Sequence, residues 1–191
     1  MAIFASMTDY DEPAALKASD IRPTSATCNL SAFENPALGI EPGMKFELNI
    51  ECEPDENGEP VEVTADWVTF PGRSWRELEK IRVEREECFM EAGSPELSIC
   101  CDYTHFRMGQ LTLRIGPLED GHAQAHLEAT EDVDGLGLDS FSLDVRTRFL
   151  GVYGSLSNRS VSDLIDLDGL ESSGNGHWVP VYDVFRDSDN R

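Results

Sequence analysis

Apolar side chains recur at every second residue through the middle of the chain. Leu97, Ile99, Cys101 and Tyr103 share one parity; Leu111, Leu113 and Ile115 repeat it, followed by Ala123, Ala125, Leu127 and Ala129, then by Phe141, Leu143 and Val145. Successive side chains of a strand point to opposite faces, so each run buries one face and leaves the other wet. An antiparallel sheet with one covered side follows. Upstream, Phe46, Leu48, Ile50 and Cys52 alternate with Glu47, Asn49 and Glu51, and Val61, Val63, Ala65 and Trp67 alternate with Glu62, Thr64 and Asp66. Asn57-Gly58 between them tolerates positive φ and predicts a hairpin.

Two segments carry helix-start signals. Ser74-Trp75-Arg76-Glu77 forms a capping box after the break at Pro71-Gly72, with Trp75, Leu78 and Ile81 on one side to cover the end of the sheet. Ser160-Val161-Ser162-Asp163 opens the second helix, ending near Gly169, with Asp163 in the first turn where an anion is favoured. The charged run from Arg82 to Glu87 fits either a helical continuation or a strand. A loop over Ser172–Gly176 and a last strand over Trp178–Phe185 complete the pattern, Pro180 suiting a sheet edge. Residues 1–43, with four prolines among small polar residues and one helical turn over Glu12–Ala18, read as an irregular N-terminal arm. Residues 44–185 then form a single β-rich domain, and 186–191 a disordered tail. The expected fold class is α+β, mostly antiparallel β: a single twisted sheet or a two-sheet sandwich with two short helices.

Charge narrows the partners. The 191 residues carry 37 acidic against 15 basic side chains, a formal net charge of -22. Such a surface repels nucleic-acid phosphates and anionic bilayers and attracts basic proteins. A high-salt proteome or a demand for solubility produces the same balance. No stretch reaches the roughly 20 apolar residues of a membrane span. The apolar start at Met1–Met7 lacks the basic lead of an export signal. Five cysteines without a CxxC pair fit a reduced, cytoplasmic protein.

Candidate chemistry is sparse. Gly151-Val152-Tyr153-Gly154-Ser155 misses the nucleophile-elbow form, and Gly135-Leu136-Gly137 lacks the third glycine of a dinucleotide loop. Cys100 and Cys101 read as small apolar fillers. His122 and His126 share a strand face about 13 Å apart, too far to hold one ion. Neither Glu131–Asp134 nor Asp166–Glu171 supplies a full calcium set. No cofactor, metal or catalytic residue is assigned. Asp102, His105 and Arg107, between two strands, would form the site were the protein an enzyme.

The composition favours an acidic binding protein that neutralises or occludes a basic partner, above all an immunity protein or inhibitor of a bacterial toxin, with carboxylates standing where phosphates would. The predicted contacts are Glu131, Asp132, Asp134, Asp139, Asp163, Asp166, Asp168 and Glu171. The alternatives are a structural or assembly subunit with an acidic solubilising surface, and an enzyme with an unrecognised site around His105. Oligomeric state is open.

Overall fold

The computed structural model describes residues 16–101, 103–138, 140–154, 156–157 and 159–181. Ten strands run in chain order as β1 (Pro23–Asn35), β2 (Ile40–Cys52), β3 (Val61–Thr69), β4 (Arg82–Glu87), β5 (Glu96–Cys101), β6 (Thr104–Ile115), β7 (His122–Asp132), β8 (Ser140–Gly154), β9 (Leu170–Gly174) and β10 (His177–Pro180). The antiparallel pairings predicted from alternation are present. Most side chains at the predicted inward positions are buried, with Leu97, Ile99, Leu111, Leu113, Leu127 and Ala129 fully enclosed; Cys101 is half-buried, and Trp67, expected inward, is turned to the outer side by a bulge in β3. Tyr103 departs from that parity. It stands in the β5–β6 turn at φ 57° and is 84% exposed, so the alternation ends with the strand.

Neither an open twisted sheet nor a sandwich describes the result. Antiparallel pairs link β1 to β2, β2 to β3, β3 to β5, β5 to β6, β6 to β7 and β7 to β8, and β8 then pairs with β1. The sheet closes into a seven-membered barrel. Six reversals of direction leave β8 running the same way as β1, so the closing pair is necessarily parallel; it runs from Thr27 opposite Arg148 to Ala32 opposite Gly154. A barrel this narrow is filled by side chains, here Leu30, Phe46, Leu48, Ile50, Met108 and Phe149, all at 1% exposure or less. β4 lies beside β6 where β5 leaves off, and the β9–β10 hairpin extends from the C-terminal end of β8.

The segment read as an irregular arm is corrected by β1. Ala26, Cys28, Leu30 and Ala32 do alternate inward, but two of them are small and the strand starts at Pro23, which hid the period. Residues 1–15 and 182–191 lie outside the described residues, and with them most of the expected Glu12–Ala18 turn, the tail and the end of the expected last strand.

The two expected helices are single 3-10 turns. At Leu78–Lys80 the anticipated cap is half made: Glu77 accepts from the backbone N–H of Ser74 (3.2 Å) and of Arg73 (2.8 Å). The turn ends where Ile81 becomes extended and leads into β4; ahead of it Trp75 stacks on Phe149, with centroids 5.5 Å apart and planes 7° apart, and its indole N–H donates to the Asp168 carbonyl at 2.9 Å. At Val161–Asp163 the capping box is complete, yet Val161 and Ile165 are drawn into the same plug and the chain turns away. Residues read as a loop at Ser172–Gly174 belong to β9. Across the barrel's other end, Leu16 and Ile21 are buried, and the Leu16 N–H donates to the Leu136 carbonyl at 3.2 Å.

Among the described residues no helix is long and apolar enough to cross a membrane. The barrel turns its apolar side inward and its charges outward, the reverse of a lipid-facing barrel.

The seam requires close backbone approach. Opposite Cys28 and Asn29, β8 bulges by one residue, and Gly151 takes φ 135° where a Cβ would strike the Trp178 carbonyl oxygen. Gly151→Ala should cost more than about 1 kcal/mol. Gly43→Ala, in β2 with no atom nearer than 3.9 Å, should stay within about 0.5 kcal/mol of wild type. Equilibrium urea unfolding of both variants checks the contrast.

Candidate functional site: an acidic panel on the barrel wall

Inward alternation on β1, β2, β3 and β5 leaves their outward positions to short polar and acidic residues. The register sets Asn29 opposite Glu47, Glu51 opposite Glu62, Thr64 opposite Ser98 and Asp66 opposite Glu96. At Trp67 (φ 61°) β3 bulges, so Asp66 and Trp67 both lie on the outer side before Val68 returns to the core. These four strands contain Glu34, Glu41, Glu47, Glu51, Glu62, Asp66 and Glu96, and Lys45 is their single lysine or arginine. On β4, β6, β7 and β8 the balance is even, with Arg82, Arg85, Arg107, Arg114, Arg146 and Arg148 facing a similar number of carboxylates. Among the barrel strands, the excess of negative charge therefore lies on the β1, β2, β3 and β5 side.

Hydrogen bonds hold the panel in place. Glu47 accepts from the Asn29 amide at 2.8 Å and from the Ser31 hydroxyl at 2.5 Å, Glu62 accepts from Asn49, and Ser25 donates to Glu51 at 2.7 Å. None of these donors carries a charge, so orientation is fixed without neutralisation. Lys45 does not supply it either: its ammonium donates to the Gly93 carbonyl at 2.9 Å and to Thr69 at 3.3 Å, and burial lowers its pKa against the pull of Glu86. Asp66 registers the imbalance. Burial first, then the charges of Glu47, Glu96 and Glu62, push its pKa up to about 6. Like charges directly opposite on neighbouring strands are destabilising, and this wall carries two such pairs, Glu51–Glu62 and Asp66–Glu96.

Aromatic rings border the panel. Phe33 and Trp67 meet edge to face at 4.5 Å, and Tyr153, opposite Ser31 across the seam, stacks on His177 at 4.0 Å. Burial and the charge of Glu47 raise the Tyr153 pKa. Carboxylates flanked by ring faces suit guanidinium or ammonium groups. Among the described residues no three His, Cys, Asp or Glu side chains stand together as metal ligands.

The carboxylates predicted from sequence sit elsewhere, in two groups at opposite ends of β7. Glu131 and Asp132 are its last two residues and Asp134 follows in the loop. Asp163, Asp166, Asp168 and Glu171 belong to the plug and hairpin around Trp75, whose partner Phe149 donates its backbone N–H to Gly121 just before β7 begins. The eleven residues between span roughly 30 Å. Several are occupied locally. Asp132 accepts from the backbone N–H groups of Gly135 (2.8 Å), Gly137 (2.7 Å) and Leu138 (3.2 Å). Asp134 grips the Arg107 guanidinium (2.6 and 3.0 Å) and its backbone N–H (2.8 Å). Asp163 closes its capping box on the Ser160 N–H at 3.0 Å, and Asp166 accepts from the Asp168 N–H at 2.9 Å. Asp168 has an exposed carboxylate 4.0 Å from Arg76, and Glu171 is exposed on β9. Asp139 lies outside the described residues.

Of the residues considered for an enzyme site, Asp102 lies outside the described residues, His105 is exposed opposite Cys100, and Arg107 is tied to Asp134. His126 bridges Asp144 (2.9 Å) and Glu128 (3.2 Å) on the outer face of β7; the bond to Asp144 leads in raising its pKa. None of the five cysteines forms a disulfide, and burial pushes the Cys28 thiol up to about 12.

Two outcomes are expected. A carboxyl whose folded pKa lies above its unfolded value near 3.8 weakens the fold as pH rises from about 4 through 6. Asp66→Asn should therefore raise stability above pH 6 by something on the order of 1 kcal/mol, allowing for solvent screening, and change nothing below pH 4. Urea midpoints of both proteins across that range decide it. Asp132→Ala strands three loop N–H groups and should cost about 1–3 kcal/mol, with faster amide exchange over residues 135–138.

No protein-family model, no curated protein and no solved structure matches the chain.

Proposed function

We propose that this protein is a stoichiometric binder whose acidic barrel wall covers a basic surface on another protein. The observation that carries the reading is the panel of Glu47, Glu51, Glu62, Asp66 and Glu96, held by neutral donors and, among the described residues, ion-paired to no lysine or arginine, at a cost in stability. Oriented carboxylates beside Trp67, Phe33 and Tyr153 supply both elements of such an interface. The charges steer a cationic partner and raise the encounter rate. The rings offer packing area and faces for Arg or Lys side chains. A surface that binds phosphate has the complementary chemistry, so the narrower reading is an immunity protein or inhibitor of a bacterial toxin enzyme acting on nucleic acid, working in the cytoplasm. The contact surface in this reading moves from the loop carboxylates to the strands.

Neutralising Glu47, Glu62 and Glu96 to Gln keeps their oxygen acceptors while removing three charges. Protein immobilised in extracts of the source cells should capture a basic partner at about 0.05 M salt and release it near 0.5 M. Once the partner is purified, its association rate with the triple variant should fall at least about tenfold, with the dissociation rate changing less. An association rate indifferent to both salt and the three substitutions rejects the acidic wall as the contact. The narrower reading further requires one equivalent of the protein to abolish the partner's enzymatic activity, and an active complex rejects it.

A further inference from the structure

On the side of the barrel away from the acidic wall, β4, β6 and β7 enclose a depression of about 230 Å³ lined by Arg85, Gln110, Thr112, Glu128 and Thr130. Four of these form a square on the outer face, since Gln110 stands opposite Thr130 and Thr112 opposite Glu128 in the β6–β7 register. The fifth arrives through a bulge. Between Val83 and Glu86 the β4–β6 register slips, so that Glu84 and Arg85 together face Thr112. Arg85 adopts φ 53°, and its backbone N–H donates to the Thr112 hydroxyl oxygen at 3.2 Å. Bulges of this kind re-aim a side chain. Here the bulge places an arginine over a polar floor that includes Thr112, only 6% exposed.

The hydrogen-bonding inventory shows what is left over. Glu84, the other bulge residue, is engaged by Arg114 at 2.9 and 3.0 Å. Arg85 makes no ion pair among the described residues, although Glu128 lines the same depression. Glu128 receives His126 on one oxygen (3.2 Å) and keeps the other. The Gln110 carbonyl accepts from the Thr130 hydroxyl at 3.3 Å, which leaves its amide N–H groups as donors, and Thr112 keeps its hydroxyl proton to give. Guanidinium, amide and hydroxyl thus offer donors on one side, and a carboxylate offers an acceptor on the other. Two opposite charges share one small cavity without meeting.

We propose that this depression is a binding site for a small α-substituted carboxylate, an α-amino or α-hydroxy acid. Arg85 takes the ligand carboxylate, assisted by the Gln110 amide and the Thr112 hydroxyl, and Glu128 accepts from the donor on the neighbouring carbon. The volume lies below the 300–1,000 Å³ usual for larger ligands, so the occupant has only a few heavy atoms beyond those two groups. The site shares no residue with the acidic wall, and its test is independent of that reading.

Four three-carbon probes separate the contributions: L-lactate and L-alanine carry both groups, propionate lacks the α donor, and L-alaninamide lacks the carboxylate. In calorimetric titration of the full chain, lactate, alanine or both should bind saturably. Propionate should be weaker by at least about tenfold, and alaninamide should not bind. Lactate alone binding assigns a hydroxy acid, alanine alone an amino acid. Arg85→Gln should reduce binding at least about tenfold. Glu128→Gln, on an exposed strand position where folding is not at stake, should erase the advantage over propionate. No saturable binding by any probe overturns the proposal. So does propionate matching lactate and alanine, or affinity unchanged in Glu128→Gln.

Discussion

Closure of an odd-membered ring is the constraint on which the remainder of this structure depends. Seven strands joined by six antiparallel steps can close only through a parallel pair, and β1 with β8 supplies it from Thr27 to Ala32. Without that seam β1 and β8 would each present an unpaired edge, and the core would lie open along one side. With it, Leu30, Phe46, Phe149 and Val152 are enclosed at 0% exposure. The seam also explains local backbone choices, because β8 has to bulge at Gly151 to meet β1 while the β9–β10 hairpin crowds in from outside.

A filled barrel gives stability that its outer wall can spend. Opposed pairs such as Asp66 with Glu96 work against folding, yet they sit on strands whose inner faces are among the best buried in the molecule, including Val63, Ala65, Leu97 and Ile99 at 0%. Strong inward burial fixes register, since a one-residue slip would turn every apolar side chain outward. The outward residues are therefore held in a defined array whatever their mutual repulsion. A rigid scaffold carrying uncompensated charge is the property the proposed binding function requires.

Bulges decorate this scaffold with chemistry. Trp67, Arg85 and Glu131 are non-glycine residues at positive φ in or beside paired strands, where such conformations are uncommon. At Trp67 the departure turns an aromatic ring toward Phe33 and puts Asp66 beside it on the wall; at Arg85 it lifts a guanidinium over Thr112. Both candidate surfaces thus owe one residue to a broken alternation. The strain is local, and each site is backed by regular pairing on the neighbouring strand.

Strand parity was legible from residues alone as far as the strands stay regular: alternation through Phe46–Cys52, Val61–Ala65 and the central runs identifies the buried face, because a period of two admits one arrangement in a half-buried strand, while the bulge that turns Trp67 outward leaves no such mark. The hairpin at Asn57-Gly58 was legible too, with Asp55 binding the N–H groups of Asn57 and Glu59 at 2.8 Å. The 3-10 turns read as helices in the sequence because capping boxes mark where a helix can start, whereas burial of side chains beyond them, such as Ile81 and Ile165, belongs to tertiary packing. The acidic wall is present in the sequence as Glu47, Glu62, Asp66 and Glu96, the wet residues of alternating strands, whereas clustering along the chain points instead to carboxylates such as Asp132 and Asp163, which serve local turns. Sequence alone thus determined which side of each strand is wet, since that depends on neighbours two residues away. Which strands lie side by side, that the ring closes, and that the wet sides of β1, β2, β3 and β5 form one negative wall were decided by the tertiary structure, because pairing between distant segments depends on backbone hydrogen bonds that carry no side-chain signature.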